Sequence, residues 1–272
     1  MQTQDSRVRL ALQGASNSGL LYSALRIGQG IAGDWSAITV IDSTGSAGKF
    51  SHLGMYQTIQ LCPPFTANRF YEAITHAEAT GAEVVILNLT HSYRGPGGLL
   101  DQMGGPSFEM GLQAHRALQV ALRETELHVL AMVNTRSRLS IRKGGKLAVA
   151  QEPLQEPNFD RNFQAVLSLD RTGKLSVLKD ETASLPMDGS FYAGVEIGTH
   201  LGRWCMQGRQ EVCDCIRQSI QSCNDLQELT RLFFKVDSED PAVLATFSRR
   251  RMVLSAALEL RPEPDMTDEF PF

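Results

Sequence analysis

No stretch of this chain is apolar over anything near the roughly 20 residues that a membrane-spanning helix needs. Residues 1–7 are polar and lack the apolar core of a secretory leader, so a cytoplasmic location is expected and no membrane among the partners. Aromatic residues make up only 7% of the sequence. Trp35, Trp204, Phe65 and Tyr71 are more readily core residues than platforms for stacked bases. Cysteine is scarce and odd in number: Cys62, Cys205, Cys213, Cys215 and Cys223, which points to free thiols. The last four are spaced eight, two and eight residues apart. They form no C-x-x-C pair, no histidine lies between them, and Cys213 and Cys215 would point about 200° apart on a helix. No metal site is expected from them. The histidines, His52, His76, His91, His115, His128 and His200, show neither ligand nor triad spacing, and His91 reads as a strand-end hydrogen-bonding group. A net charge of −4 argues against wholesale coating of nucleic acid and leaves local patches open.

What is present is an ordinary globular composition, 42% hydrophobic and 21% charged over 272 residues, enough for one large domain and a small appendage. Segments 8–12, 37–41, 58–61, 83–89 and 128–133 read as strands, mostly buried; 22–31, 67–80 and 107–123 read as helices. Strand, glycine loop, helix, strand opens a parallel doubly wound sheet. Shorter strands are expected over 147–150, 165–169 and 175–178, the last two joined by a turn at Asp170–Gly173. A boundary falls near Leu185–Gly189. Beyond it, 210–222, 226–234 and 241–260 read as helices, the second capped by Asn224 or Asp225 and the third opened by Asp240 with Pro241. The expected domains are a core over 1–185, a linker over 186–208, a helical module over 209–260 and a disordered acidic tail over 261–272.

The loop from Gly14 to Leu21 fits the phosphate-binding template G-x-x-x-x-G-K-[ST] at Gly14 and Gly19, with Ser16 inside it, and fails at the last two places. An ammonium should reach the β- and γ-phosphates there and a hydroxyl should hold Mg²⁺. Leu20 and Leu21 do neither. Two readings remain open: backbone N–H groups at the helix N-terminus still take a phosphate weakly, or the two leucines fill the former pocket with apolar packing.

The ordered segments GASNSGLLYSAL (14–25), GDWSAITVID (33–42), SHLG (51–54), PPFTANRFYEAI (63–74), VVILNLTH (84–91) and GPGGLL (95–100) resemble the phage and mobile-element AAA/RecA-like nucleotide-binding proteins, over about residues 7–185. The resemblance implies an α/β fold: a RecA-like P-loop core with a mainly parallel central sheet, here followed by a small helical C-terminal region. It also implies, for some relatives, work on single-stranded DNA in phage recombination. Carried over by position, the catalytic set is largely missing. The Walker B acid falls on Leu87 or Asn88. The family's Ile-Asp-Thr-Glu reads Ile41-Asp42-Ser43-Thr44, so Asp42 survives and the water-orienting glutamate is Thr44. A finger cation falls on Glu181, and a further acid falls on Ser92. Phosphoryl transfer is positioning and charge stabilisation, so losing these groups together should abolish turnover. ATP and Mg²⁺ are expected at most as weak residual ligands, and Asp42 as a turn residue.

Three signals point to DNA or to protein partners. Residues 136–146 carry Arg136, Arg138, Arg142, Lys143 and Lys146 and no acid, on a glycine-containing hairpin suited to several phosphates. Its bland counterpart is a solvated hairpin. Arg249, Arg250 and Arg251 fan around a helix and are read as solvated or acid-paired. The end of the chain, Asp268-Glu269-Phe270-Pro271-Phe272, is similar to the acidic tip of bacterial single-stranded DNA-binding proteins, a docking peptide for replication or recombination proteins. The leading expectation is a catalytically defective P-loop protein that binds or organises single-stranded DNA. The alternatives are an ATPase using unconventional residues and a structural partner of an active paralogue; a homo-oligomer fits the fold. Glycine runs at 95–98 and 104–105 bracket a loop expected to be mobile.

Overall fold

Val84, Val85, Ile86 and Leu87 are four consecutive buried aliphatic residues, a pattern that suits a strand covered on both faces. The computed structural model, which describes residues 7–141, 147–186, 189–236 and 240–259, builds an α/β frame on such strands. In chain order these are β1 (Arg9–Ala15), α1 (Leu20–Ala32), β2 (Ile38–Asp42), β3 (Gln57–Gln60), α2 (Ala67–Ala79), β4 (Val84–Asn88), α3 (Leu89–Arg94), α4 (Phe108–Glu124), β5 (His128–Ile141), β6 (Leu147–Pro153), β7 (Ala165–Leu169), β8 (Lys174–Asp180), β9 (Phe191–Tyr192), α5 (Val195–Ser222), α6 (Leu226–Lys235) and α7 (Pro241–Glu259).

The sheet runs β3-β2-β4-β5-β1-β7-β8-β9, with β6 added to β5 alone. Neighbours are parallel from β3 through β7, while β8, β9 and β6 are antiparallel to their partners. This is the expected class, an α/β fold with a mainly parallel sheet and a helical C-terminal region. Alternation divides the core in two. Leu10 and Leu12 of β1, with Val84, Ile86 and Leu130, pack on the side that holds α1 and the first part of α5. Ala11, Val85, Leu87, Val129 and Ala131 pack on the side of α2 and α4.

One polar group enters this core at the start of β1. Arg9 is 2% exposed. Its Nη1 donates to the Leu127 carbonyl at 2.7 Å, and its Nη2 to the carbonyls of Arg123 at 3.0 Å and Thr125 at 2.6 Å. These acceptors lie at and just beyond the C-terminus of α4, where helical carbonyls have no intrahelical donor. A cation also suits the negative end of that helix.

The described chain divides into two compact units, parting between Met206 and Gln207. Segment 186–208, expected as a linker, belongs instead to the larger unit over nearly its whole length. It holds β9 and the start of α5, and Ile197, Leu201 and Cys205 are buried in the α1-side core. Gly198 lets α5 touch α1, since a Cβ there would run into the Ile27 carbonyl oxygen. In the smaller unit Ile220, Cys223, Leu229, Val243, Phe247 and Leu254 form a separate core. Asp225 caps α6 by accepting the Glu228 N–H at 2.7 Å, and Asp240 caps α7 by accepting the Ala242 N–H at 2.7 Å. Arg250 donates to the Cys223 carbonyl at 3.0 and 2.6 Å, which gives that arginine a structural partner. Among the described residues no helix is long and apolar enough to cross a membrane. The acidic tail lies outside the described residues.

Replacing Arg9 by Met keeps the volume and strands several buried carbonyls, at about 1–3 kcal/mol for each unsatisfied acceptor. The R9M chain is expected to unfold at a clearly lower urea concentration, with a loss of about 3 kcal/mol. An unchanged midpoint would remove Arg9 from the account of how α4 is held.

Candidate functional site

β1 is fully paired, to β5 on one side and β7 on the other, and Gly14 stands between Asn134 and Leu169. The chain then turns sharply. Asn17 has φ 66° and Gly19 has φ 94° with ψ 21°, a left-handed conformation that glycine adopts without steric penalty. Gly19 is the N-cap of α1, and no side chain caps that helix. Ser16 is exposed at the loop tip. Ser18 turns inward, and its hydroxyl is buried without a hydrogen-bond partner among the described residues. Leu20 and Leu21 are 8% and 9% exposed and belong to the α1-side core. Burying each contributes about 2 kcal/mol, which ties the first turn of α1 to the sheet through apolar packing.

Beside the loop, three strand ends carry a polar seam. Asp42, at the end of β2, is 4% exposed. Its Oδ1 accepts the Thr44 N–H at 2.9 Å and the Thr44 hydroxyl at 2.8 Å; its Oδ2 accepts the Ala47 N–H at 2.8 Å. Burial works to raise its pKa, but hydrogen bonds from Ala47, Thr44 and Ser46 outweigh it and hold the carboxyl below its ordinary value. Both oxygens therefore close the turn after β2, in which Thr44 and Gly45 are exposed. At the end of β4, Asn88 is 6% exposed. Its Oδ1 caps α3 by accepting the Thr90 N–H at 3.0 Å, and its Nδ2 donates to Asn134 Oδ1 at 3.1 Å. Thr90 in turn accepts the Asn134 N–H at 2.8 Å. The Asn88 amide thus joins β4 to β5.

His91 lies in α3, not at a strand end. Its Nδ1 is 2.9 Å from Ser43 Oγ, and its ring stacks on Phe65 at 4.9 Å between centroids. Burial lowers its pKa, with hydrogen bonding to Ser43 and the charge of Asp42 pulling less strongly the other way. Ser92 donates its hydroxyl to the Leu89 carbonyl at 2.9 Å. Glu181, at the finger position, pairs with Lys179 at 3.0 Å, and Lys179 also donates to the Phe163 carbonyl at 2.6 Å. The loop after α3 is tied down, since Phe65 N–H donates to the Pro96 carbonyl at 2.7 Å and Gln102 Nε2 to the Gly97 carbonyl at 2.7 Å.

β5 continues past the sheet edge and pairs with β6 as a two-stranded ribbon, from Thr135 opposite Pro153 to Ile141 opposite Leu147. Arg136 stands opposite Glu152 and bonds it at 2.9 Å; Arg138 meets the same carboxylate at 3.5 Å. The other side of the ribbon carries the exposed Leu139, opposite the exposed Val149. Arg142, Lys143 and Lys146 lie outside the described residues, as do Asp268, Glu269, Phe270, Pro271 and Phe272. Beside the foot of the ribbon is an open cleft of about 420 Å³, lined in part by Gln13, Glu152, Gln155 and Lys179. Among the described residues no group of three or more His, Cys, Asp or Glu side chains is gathered for a metal ion.

The structure thus groups Gly14, Gly19, Asp42 and Asn88 along the sheet edge from which the ribbon rises. Asn134, Ser43 and Glu152 are the members that sequence reasoning missed. A polar residue closing the apolar run 129–133 was the available signal for Asn134; nothing local marks Ser43 or Glu152.

No family model matches the chain, and no curated protein matches it. Among solved structures, a KaiC-like protein from the hyperthermophilic archaeon Pyrococcus horikoshii is similar with a TM-score of 0.40 and 11% identity, over 65% of this chain and 80% of that one. A likeness this distant assigns no activity.

The lowered His91 pKa has a definite sign. Folding favours the neutral ring, so its contribution is complete above the ordinary imidazole value of about 6.5 and is lost as pH falls through the lower folded value. Stability of the intact chain is expected to drop between about pH 7 and pH 5 more than that of His91→Gln. Parallel urea-midpoint curves for the two would refute this.

Proposed function

We propose that this chain is a RecA-like P-loop frame that does not hydrolyse ATP and that binds or organises single-stranded DNA, in the recombination or replication of a phage or mobile element. The observation that carries the first half is the place of Leu20 and Leu21. They are core residues at the two positions where an ammonium and a metal-holding hydroxyl are required. The retained Asp42 is engaged in a turn and Asn88 in a strand tie, so neither is set to receive Mg²⁺. The donor set does not fit a Mg²⁺-nucleotide engine.

The second half is supported by the ribbon. It extends from the edge where the glycine loop opens, and the side chains of Arg136 and Arg138 are 53% and 68% exposed. Exposed guanidinium groups on a two-stranded ribbon suit the phosphates of a flexible strand, giving sequence-tolerant and salt-sensitive affinity. The chain's final residues would act as the docking peptide for replication or recombination proteins, in the cytoplasm.

An ATPase using unconventional residues is the competing reading, favoured by the uncapped N-terminus of α1 behind the glycine loop. Phosphate release from Mg-ATP separates the two. No turnover above buffer is expected from the pure chain, and turnover that Gly19→Val abolishes would establish the enzyme instead. On the binding side, a labelled dT oligonucleotide is expected to bind at low salt and dissociate as salt rises. Neutralising Arg138, Arg142 and Lys143 together should weaken binding by at least tenfold and flatten the salt dependence, at about 0.7 in slope for each lost phosphate contact. An intact chain that ignores the oligonucleotide at low salt overturns the reading.

A further inference from the structure

The ribbon holds more positive charge than its own acid can balance. Glu152 Oε2 receives Arg136 Nε at 2.9 Å and Glu152 Oε1 lies 3.5 Å from Arg138 Nη1, so each carboxylate oxygen faces one guanidinium. Strand alternation explains the grouping: Arg136, Arg138 and Glu152 share one side of the ribbon, while Ser137 and Gln151 bond to each other on the opposite side at 3.0 Å. The Arg136 hydrogen bond first, then the charges of Arg136 and Arg138, outweigh desolvation and hold the Glu152 carboxyl below its ordinary value. Among the described residues no second acid is ion-paired to these two arginines.

We propose that Arg136 and Arg138 form one phosphate-binding site for single-stranded nucleic acid, and that Glu152 is a resident counter-ion that the strand's phosphates displace. This deepens the proposed function and rests on it. Guanidinium forks match phosphate oxygens as they match a carboxylate, so the exchange conserves hydrogen bonds. The existing pairs are exposed and therefore weak, which makes displacement feasible. They are also tethered, and a tethered carboxylate competes at an effective concentration in the millimolar range. A single small anion has little advantage over it. A strand that offers several phosphates at once gains the avidity to win. Glu152 thus selects polyanions over lone phosphates, in addition to the sequence-independent attraction of the ribbon.

The test uses the full chain and fluorescence anisotropy of a labelled dT oligonucleotide across a salt series, with inorganic phosphate as the single-anion competitor. Glu152→Gln is expected to bind the oligonucleotide about three- to tenfold more tightly. Inorganic phosphate should compete better against E152Q than against the unaltered chain. Arg138→Ala should loosen binding and flatten the slope by about 0.7. Glu72→Gln on α2 adds the same net charge at an exposed position away from the ribbon and should change affinity less than twofold. Thermal melts confirm that each variant is folded. If the unaltered chain binds and E152Q binds no more tightly, or E72Q tightens binding equally, Glu152 is not a competitor and the inference falls while the proposed function stands. If R138A leaves affinity and slope unchanged, the two-arginine site falls. If neither the unaltered chain nor E152Q binds at low salt, the inference and the proposed function fall together.

Discussion

Everything in the larger unit is referred to the register of one strand. β1 is hydrogen-bonded along both edges and covered on both faces, so a slip of one residue would turn Leu10 and Leu12 toward the wrong helix layer. That constraint sets where the glycine loop opens, and it sets Gly14 beside Asn134. It also fixes where Arg9 enters the core and holds the end of α4. The sheet's C-terminal edge is built outward from this register. Loop, turn after β2, cap of α3 and foot of the ribbon are successive consequences of it.

The chemistry of that edge follows from which interactions dominate there. At these strand ends the side chains serve cohesion. Two leucines anchor α1, an aspartate closes a turn, and an asparagine bridges β4 and β5. Each of these groups stabilises the fold by about 1–2 kcal/mol, and none leaves a donor set facing solvent for a metal. Unbalanced positive charge lies on the ribbon, where it is solvated and screened.

Much of the frame was legible because buried parallel strands have a plain signature. Val84–Leu87, Ile38–Ile41 and His128–Val133 could be nothing else at their length, and Gly14 with Gly19 placed the first turn. The cap at Asp225 and the opening of α7 at Asp240 were readable from local chemistry. What escaped was tertiary. Gly194, Gly198 and Gly202 make the start of α5 resemble a linker, yet Gly198 is small because α1 passes against it. The short α3 has no apolar period to betray it, being an Asn88 cap followed by Leu, Thr, His and Ser. His91 and Ser43 lie far apart in sequence and meet only because β2 and β4 are neighbours. The hairpin around residue 140 was visible as a run of cations. Its one balancing acid, Glu152, sits on the returning strand, where only the pairing register reveals it.

β5 is a single strand of fourteen residues with two surroundings. Its first half is clamped between β4 and β1; its second half has only β6 for company. No break separates the two, and Asn134 sits at the change-over. The projecting part is therefore a lever whose fulcrum is embedded in the middle of the protein. A load at its outer end is delivered as torque to the central strands, with no joint on the way to absorb it.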